Sequence, residues 1–91
     1  MRRSRLEDMT NGWLVGAFEP SVHETNTFEV AVKYYSAGDR ESLHHHKIAT
    51  EITVIVSGEV EMNGIRYCSG DILTIEPNES SDFWAVTDVA T

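Results

Sequence analysis

The sequence has a single cysteine and lacks a long apolar run. With Cys68 as its one thiol among 91 residues, the chain can form neither an internal disulfide nor a thiolate metal cluster. The longest apolar stretch lies within residues 52–56, far short of the roughly 20 residues that a membrane-spanning helix requires. We therefore expect a protein that is soluble and suited to a reducing cytoplasm.

Basic residues are also scarce, and they are unevenly placed. Three of the seven, Arg2, Arg3 and Arg5, lie in the first five residues, and no apolar stretch of a secretory signal follows them. The rest of the chain has four basic and fifteen acidic residues, so its formal net charge is 4 − 15 = −11. Such a charge repels phosphate backbones and anionic lipids, so we expect no nucleic acid and no membrane as partner. A cation is the natural partner of this surface.

Short turn signals recur along the chain and indicate strands. The segments between them are rich in β-branched and aromatic residues, as is typical of strands; they are 27–35, 51–56, 59–62 and 72–75. The sequence therefore predicts an all-β domain.

The dipeptide Asn63-Gly64 predicts a β-hairpin. Both residues tolerate the positive φ of a two-residue type I′ turn, and this turn sets the register of the flanking strands. The expected opposed pairs are Met62 with Ile65, Glu61 with Arg66, Val60 with Tyr67 and Glu59 with Cys68. Glu61 and Arg66 then form a charge pair on the outer face of the hairpin.

The strand that begins at residue 51 is apolar on much of both faces. Alternation divides its side chains into Glu51, Thr53 and Ile55 on one face and Ile52, Val54 and Val56 on the other. A half-exposed strand would have a polar outer row, so the second row predicts cover by another sheet or by a second chain. A homodimer is the expected assembly.

Three residues form a candidate metal site. His44 and His46 are separated by one residue, so on a strand they project from one face about 7 Å apart along the backbone. Glu51 can return on the adjacent strand and add a carboxylate oxygen. Two imidazoles and one carboxylate form a facial ligand set that leaves positions open on a divalent metal. The alternative is that the histidines are a polar loop, or core residues satisfied by hydrogen bonds.

The spacing around these residues resembles the first signature motif of the cupin superfamily. That motif runs glycine, five residues, His-x-His, three or four residues, glutamate, six residues, glycine, and the chain matches it at Gly38, His44, His46, Glu51 and Gly58. The resemblance implies a double-stranded β-helix, a jelly-roll barrel of antiparallel strands. It also implies that the two histidines and the glutamate bind metal inside the barrel.

A second cupin motif is matched with changes. Gly70 and Pro77 are separated by six residues instead of five, and Asp82 stands where the family has a histidine ligand. Asp82 can bind the ion directly, orient His44 or His46 through a ring N–H, or be a turn residue without contact to the ion. The resemblance implies a divalent ion, with iron, manganese, zinc and nickel as candidates.

The resemblance covers about residues 28–88. We therefore expect a cupin barrel at 27–91 and an N-terminal segment at 1–26 that adds to the barrel edge or to a dimer. A cupin usually has another strand after this point. We expect the barrel to be open, or to be completed by the N-terminal segment or a partner chain.

The resemblance implies a metal-binding cupin, and we expect a metal-dependent enzyme that acts on a small polar metabolite in the barrel lumen. Dioxygenase, isomerase and lyase chemistry all occur on this fold, and the fold does not choose among them. Two alternatives remain open: a non-catalytic module that binds a small ligand, and a dimer in which the metal mainly stabilises the fold. Among other residues, Trp84 is expected in the core or at the barrel mouth, and the orientation of Tyr35 is left open.

Overall fold

The protein is built from short β-strands, with one turn of 3-10 helix. The structure, a computed structural model, describes residues 1–45 and 48–91. The described elements are a 3-10 helix at Leu6–Asp8 and the strands β1 (Trp13–Gly16), β2 (His23–Glu24), β3 (Val30–Ala31), β4 (Tyr34–Tyr35), β5 (Arg40–His44), β6 (Glu51–Val54), β7 (Glu59–Met62), β8 (Ile65–Cys68), β9 (Ile72–Ile75), β10 (Ser81–Ala85) and β11 (Val89–Ala90). Within those residues, no helix has the length and apolar character to cross a membrane.

The chain divides into two compact units, Met1–Lys33 and Tyr34–Thr91. In the first unit β1 is the central strand of a three-stranded sheet, parallel to β2 and antiparallel to β3. Val15 is buried, and the ammonium of Lys33 lies 4.9 Å from the centre of the Trp13 ring. The boundary predicted after residue 26 stays a prediction.

The second unit contains a four-stranded sheet and two strand pairs. The sheet has the order β5-β10-β7-β8, and the pairs are β4–β11 and β6–β9, all antiparallel. The chain after β6 links the two pairs, because the Ile55 N–H donates to Asp71 O at 2.9 Å and the Val56 N–H donates to Ala90 O at 2.9 Å. The predicted all-β class is confirmed. In residues 1–45 and 48–91 the ladders are short and no closed barrel is present.

The hydrophobic core of the second unit draws side chains from the four-stranded sheet and from both strand pairs. Its buried members are Ile55, Val60, Met62, Phe83, Ala85 and Val89, and Tyr35, Tyr67, Leu73 and Ile75 pack against them. We call the sheet faces that carry these side chains the inner face. Burial of this apolar surface is the main source of stability of the unit.

The β7–β8 hairpin has the predicted register. Asn63 and Gly64 have φ of 51° and 79°, the left-handed values that a type I′ turn needs. All four predicted residue pairs are present, and the Arg66 guanidinium lies 3.5 Å from the Glu61 carboxylate. The alternation of side chains and the tight turn therefore determined the register of this hairpin from nearby residues alone.

The predicted alternation along β6 is also present. Ile55 is fully buried, while Ile52, Val54 and Val56 are exposed. Opposite this outer row lies the exposed Ile72 of β9, paired with Val54. The sequence left cover by another sheet or by a second chain open; the row is exposed among the described residues of this chain, and cover by a second chain stays a prediction.

Candidate functional site

A β-bulge in β5 places two chemically useful side chains on the inner face. Ser81 pairs with His44, and Phe83 pairs with Glu41, so between these pairs one residue of β10 lies opposite two of β5. Ser81 and Phe83 are both buried, and directly opposed residues share a face of the sheet. Glu41 and His44 therefore both lie on the inner face, although they are three residues apart.

The ring of His44 is oriented by its own strand. Its Nδ1 atom lies 2.9 Å from the carbonyl oxygen of Ser42. A carbonyl oxygen can only accept, so this contact places a hydrogen on Nδ1 and leaves Nε2 as the nitrogen able to bind a metal. Histidines that bind metals through one nitrogen commonly donate the other ring N–H in this way.

Glu51 lies on the inner face of β6. It pairs with Ile75, which packs against the core, and it alternates with the exposed Ile52. The hydroxyl of Thr53 donates to Glu51 Oε2 at 3.0 Å. The residue is half-buried, and one of its carboxylate oxygens has a hydrogen-bonding partner within the strand.

Tyr35 is a further polar side chain on the inner face. It pairs with the buried Val89, and its ring centre lies 4.5 Å from that of Phe83. The phenol donates to Glu41 Oε1 at 2.8 Å. The orientation of Tyr35, which the sequence left open, is thus inward.

Burial raises the pKa of the Tyr35 phenol well above its ordinary value. The hydrogen bond to Glu41 and the negative charges of Glu41, Glu51 and Asp39 act in the same direction. A phenol with a raised pKa keeps its proton throughout the physiological range. Tyr35 therefore remains protonated and donates its hydrogen bond to one carboxylate oxygen of Glu41.

Sequence reasoning did not find Glu41. Strict alternation from an inward His44 would place Ser42 inward and Glu41 outward. The bulge reverses this assignment, because it adds one residue between Glu41 and His44. An acidic residue three positions before the first motif histidine is visible in the sequence, but its direction depends on how β5 pairs with β10.

Two of the predicted metal ligands can be placed. His44 and Glu51 both lie on the inner face, as described above, and His46 lies outside the described residues. Within residues 1–45 and 48–91, no three His, Cys, Asp or Glu side chains form a group able to hold a metal. The ligand set that includes His46 stays a prediction.

Asp82 contacts the turn of the β7–β8 hairpin. Its Oδ1 accepts a hydrogen bond from the Asn63 N–H at 2.6 Å, and its own N–H donates to Asn63 Oδ1 at 3.2 Å. Asp82 alternates along β10 with the buried Ser81 and Phe83, so its side chain is on the face opposite to them. These contacts give Asp82 a role in the turn. Ligation of a metal by this carboxylate stays a prediction.

Asp82→Ala is expected to lower the free energy of unfolding by about 1–2 kcal/mol, because the Asn63 N–H loses a charged acceptor. Urea denaturation of the two proteins measures this difference. Asp82→Asn is the matched control, since its amide oxygen can still accept from Asn63, and it should fall between the wild type and the alanine variant. Equal stability of wild type and Asp82→Ala would contradict this role.

Trp84 lies on the outer face, contrary to the expectation of a core or mouth residue. It pairs with Arg40 on one side and Glu61 on the other, and Glu61 pairs with Arg66. The guanidinium carbons of Arg40 and Arg66 lie 4.8 and 5.6 Å from the centre of the Trp84 ring. These four side chains on the outer face are held together by cation–π contacts and by the Glu61–Arg66 ion pair. Strand alternation from the buried Phe83 explains why the indole faces outward.

Comparisons with solved structures agree on the fold. A cupin-2 domain protein from Shewanella frigidimarina has a TM-score of 0.62 at 14% identity, covering 74% of this chain and 68% of its own. A cupin protein from Bacteroides fragilis has a TM-score of 0.57 at 27% identity, covering 68% and 58%. A conserved protein of unknown function from Streptococcus pyogenes has a TM-score of 0.59 at 17% identity, covering 68% and 57%.

The chain thus spans less than two thirds of the Bacteroides and Streptococcus proteins. No protein-family model matches the chain, and no curated protein matches it either.

Proposed function

We propose, from the premise that this chain contains a small cupin-like domain, that it binds one divalent metal ion through His44, His46 and Glu51. In this proposal the four-stranded sheet and the two strand pairs of the second unit are the two layers of a jelly roll. Iron, manganese, zinc and nickel are the candidate ions. The domain acts on a small polar metabolite that binds between the two layers, against the inner face.

The observation that carries this proposal is the orientation of the His44 ring by a hydrogen bond. Its Nδ1–H donates to Ser42 O at 2.9 Å, so Nε2 is the nitrogen suited to a metal. The bulge directs this ring to the inner face, where Glu51 also lies. An imidazole with a fixed tautomer and a carboxylate that both lie on the inner face are ligand types that a borderline divalent ion accepts.

The residues around the site suit a metal-dependent enzyme. A metal bound here supplies Lewis acidity or oxygen activation. Phe83 and the ring of Tyr35 supply an apolar wall on the inner face. The Tyr35 hydroxyl and the Glu41 carboxylate supply hydrogen-bonding groups for a polar metabolite.

Metal binding of the 91-residue chain, purified without chelator, tests the proposal. Wild type is expected to bind about one ion per chain, and His44→Ala to weaken the affinity by at least about 100-fold, because a ligand is lost. His45→Ala is the matched control. His45 is the next residue, is exposed, and is not one of the proposed ligands. The affinity of His45→Ala for the ion should therefore lie within about threefold of that of wild type.

Two results would contradict the proposal. Wild type could retain no more metal than His44→Ala, or His45→Ala could lose the metal to the same extent. Thermal melting with and without chelator then separates the enzyme from a metal-stabilised scaffold. A scaffold unfolds when its metal is removed, because its binding free energy is folding free energy, whereas the proposed enzyme retains its fold.

A further inference from the structure

The outer face of the two strand pairs is continuous, because a bulge joins them. The N–H groups of Val56 and Ser57 both donate to Ala90 O, at 2.9 and 3.3 Å, so two residues after β6 lie opposite one residue of β11. Ala90 pairs with Tyr34 of β4, and opposed residues share a face of a sheet. Five exposed side chains therefore share the face directed away from the core, which we call the outer apolar face: Tyr34, Ile52, Val54, Val56 and Ile72.

The outer apolar face is large for a chain of 91 residues. Its five side chains are between 42% and 73% exposed, which corresponds to about 500 Å² of surface, near the upper end of the range for the largest apolar patch of a typical monomer. The sequence identified Ile52, Val54 and Val56 from their alternation. Strand pairing adds Tyr34 and Ile72, and it extends a row along one strand into a patch across four strands. A patch of this size is often an interaction surface.

The outer apolar face also lacks charge, although the chain has a formal net charge of −8. By their pairing, the other described residues on it are Ser57, Thr74 and Ala90, so no Asp, Glu, Lys or Arg of these described strands lies on this face. Depletion of charged residues around aliphatic and aromatic side chains is typical of the centre of a protein interface. Two acidic chains repel one another least when they meet through an uncharged surface.

We propose that the outer apolar face binds the same face of a second copy of this chain, in a dimer with twofold symmetry. In such a contact the apolar side chains of one copy meet the same apolar surface of the other, so the interface is complementary to itself. Two copies bury about 1,000 Å², the lower limit for a biological interface. A contact of this size is weak, so we expect a Kd in the micromolar range and a monomer in dilute solution.

The dimer is independent of the proposed metal site. The outer apolar face is directed away from the core, whereas His44 and Glu51 lie on the inner face. His44→Ala should therefore dimerise with a Kd within about twofold of wild type, since separated sites act additively. Loss of metal binding and loss of the dimer are thus separate results.

Sedimentation equilibrium of the full chain over a range of concentrations tests the proposal. Wild type is expected to pass from one chain to two as the concentration rises, and to stop at two because a twofold contact closes on itself. Ile72→Glu should raise the Kd at least about 100-fold, because each copy brings a charge without a partner into an apolar contact. Ile65→Glu is the matched control. It makes the same change at an exposed side chain of β8, in the four-stranded sheet, and should leave the Kd within about twofold of wild type.

Methyl NMR on dilution locates the contact without any substitution. The methyl resonances of Ile52 and Ile72 should shift as the dimer dissociates, whereas those of Ile65 should not. Ile52→Glu repeats the substitution at a second exposed position, and circular dichroism checks that each variant is folded.

Three results would overturn this inference. A wild type that stays monomeric at millimolar concentration would leave the outer apolar face to a different protein. Assembly beyond two chains would exclude a closed twofold contact. Dimers of Ile72→Glu and Ile52→Glu as tight as those of wild type would place the contact on another surface.

Discussion

Gly58→Ala is expected to destabilise the protein far more than Gly38→Ala, although both glycines belong to the same sequence motif. Gly58 and Gly38 have φ of 89° and 94°, so a side chain at either position is strained by about 1–2 kcal/mol. A Cβ at Gly58 would also overlap the carbonyl oxygen of Asp88, whereas a Cβ at Gly38 meets no atom within 4 Å. The overlap adds about 1–3 kcal/mol, because backbone must move to relieve it.

Urea denaturation of the two variants measures this difference directly. Both share the backbone strain, so subtraction isolates the overlap with Asp88. The expected gap in the free energy of unfolding is about 1–3 kcal/mol. Equal destabilisation by the two substitutions would mean that the close approach of Gly58 to residue 88 does not contribute to stability.

Ile55→Ala is expected to lower the free energy of unfolding by about 2–5 kcal/mol. Ile55 has no exposed surface and lies in the core, so truncation removes buried methylene groups and leaves a cavity. Domains of this size have only about 5–15 kcal/mol of stability in total. The variant should therefore melt well below wild type, and part of it can be unfolded at 37 °C.

Ile52→Ala is the matched control for this prediction. It makes the same chemical change three residues away, at a side chain that is 68% exposed, and should cost less than about 1 kcal/mol. Thermal and urea unfolding of both variants give the comparison. A large loss at Ile52 with a small one at Ile55 would reverse the assignment of the two faces of β6.

Local sequence predicted the parts of the fold that depend on neighbouring residues. The turn at Asn63-Gly64 set the register of β7 and β8, because its two positive φ values admit one pairing of the flanking strands. The division of this strand into one face with Glu51 and Ile55 and another with Ile52 and Val54 followed from the period of two along a strand. The motif spacing likewise pointed to a cupin-like fold.

Other features depend on pairing between distant segments. Strands β5 and β10 are about 40 residues apart, and only their ladder reveals the bulge that turns Glu41 inward. Asp82 was predicted from motif position, but its contact with Asn63 required β10 to pair with β7. Trp84 likewise faces outward because Phe83 is taken into the core.

The sequence by itself determined the all-β class, the hairpin and the candidate ligands His44 and Glu51, since turns and alternation act over a few residues. Only the tertiary structure decided that Glu41 and Tyr35 lie on the inner face, and that Asp82 accepts a hydrogen bond from the turn at Asn63. A bulge shifts the face of every residue beyond it. Its position depends on the partner strand, which lies far away in the chain.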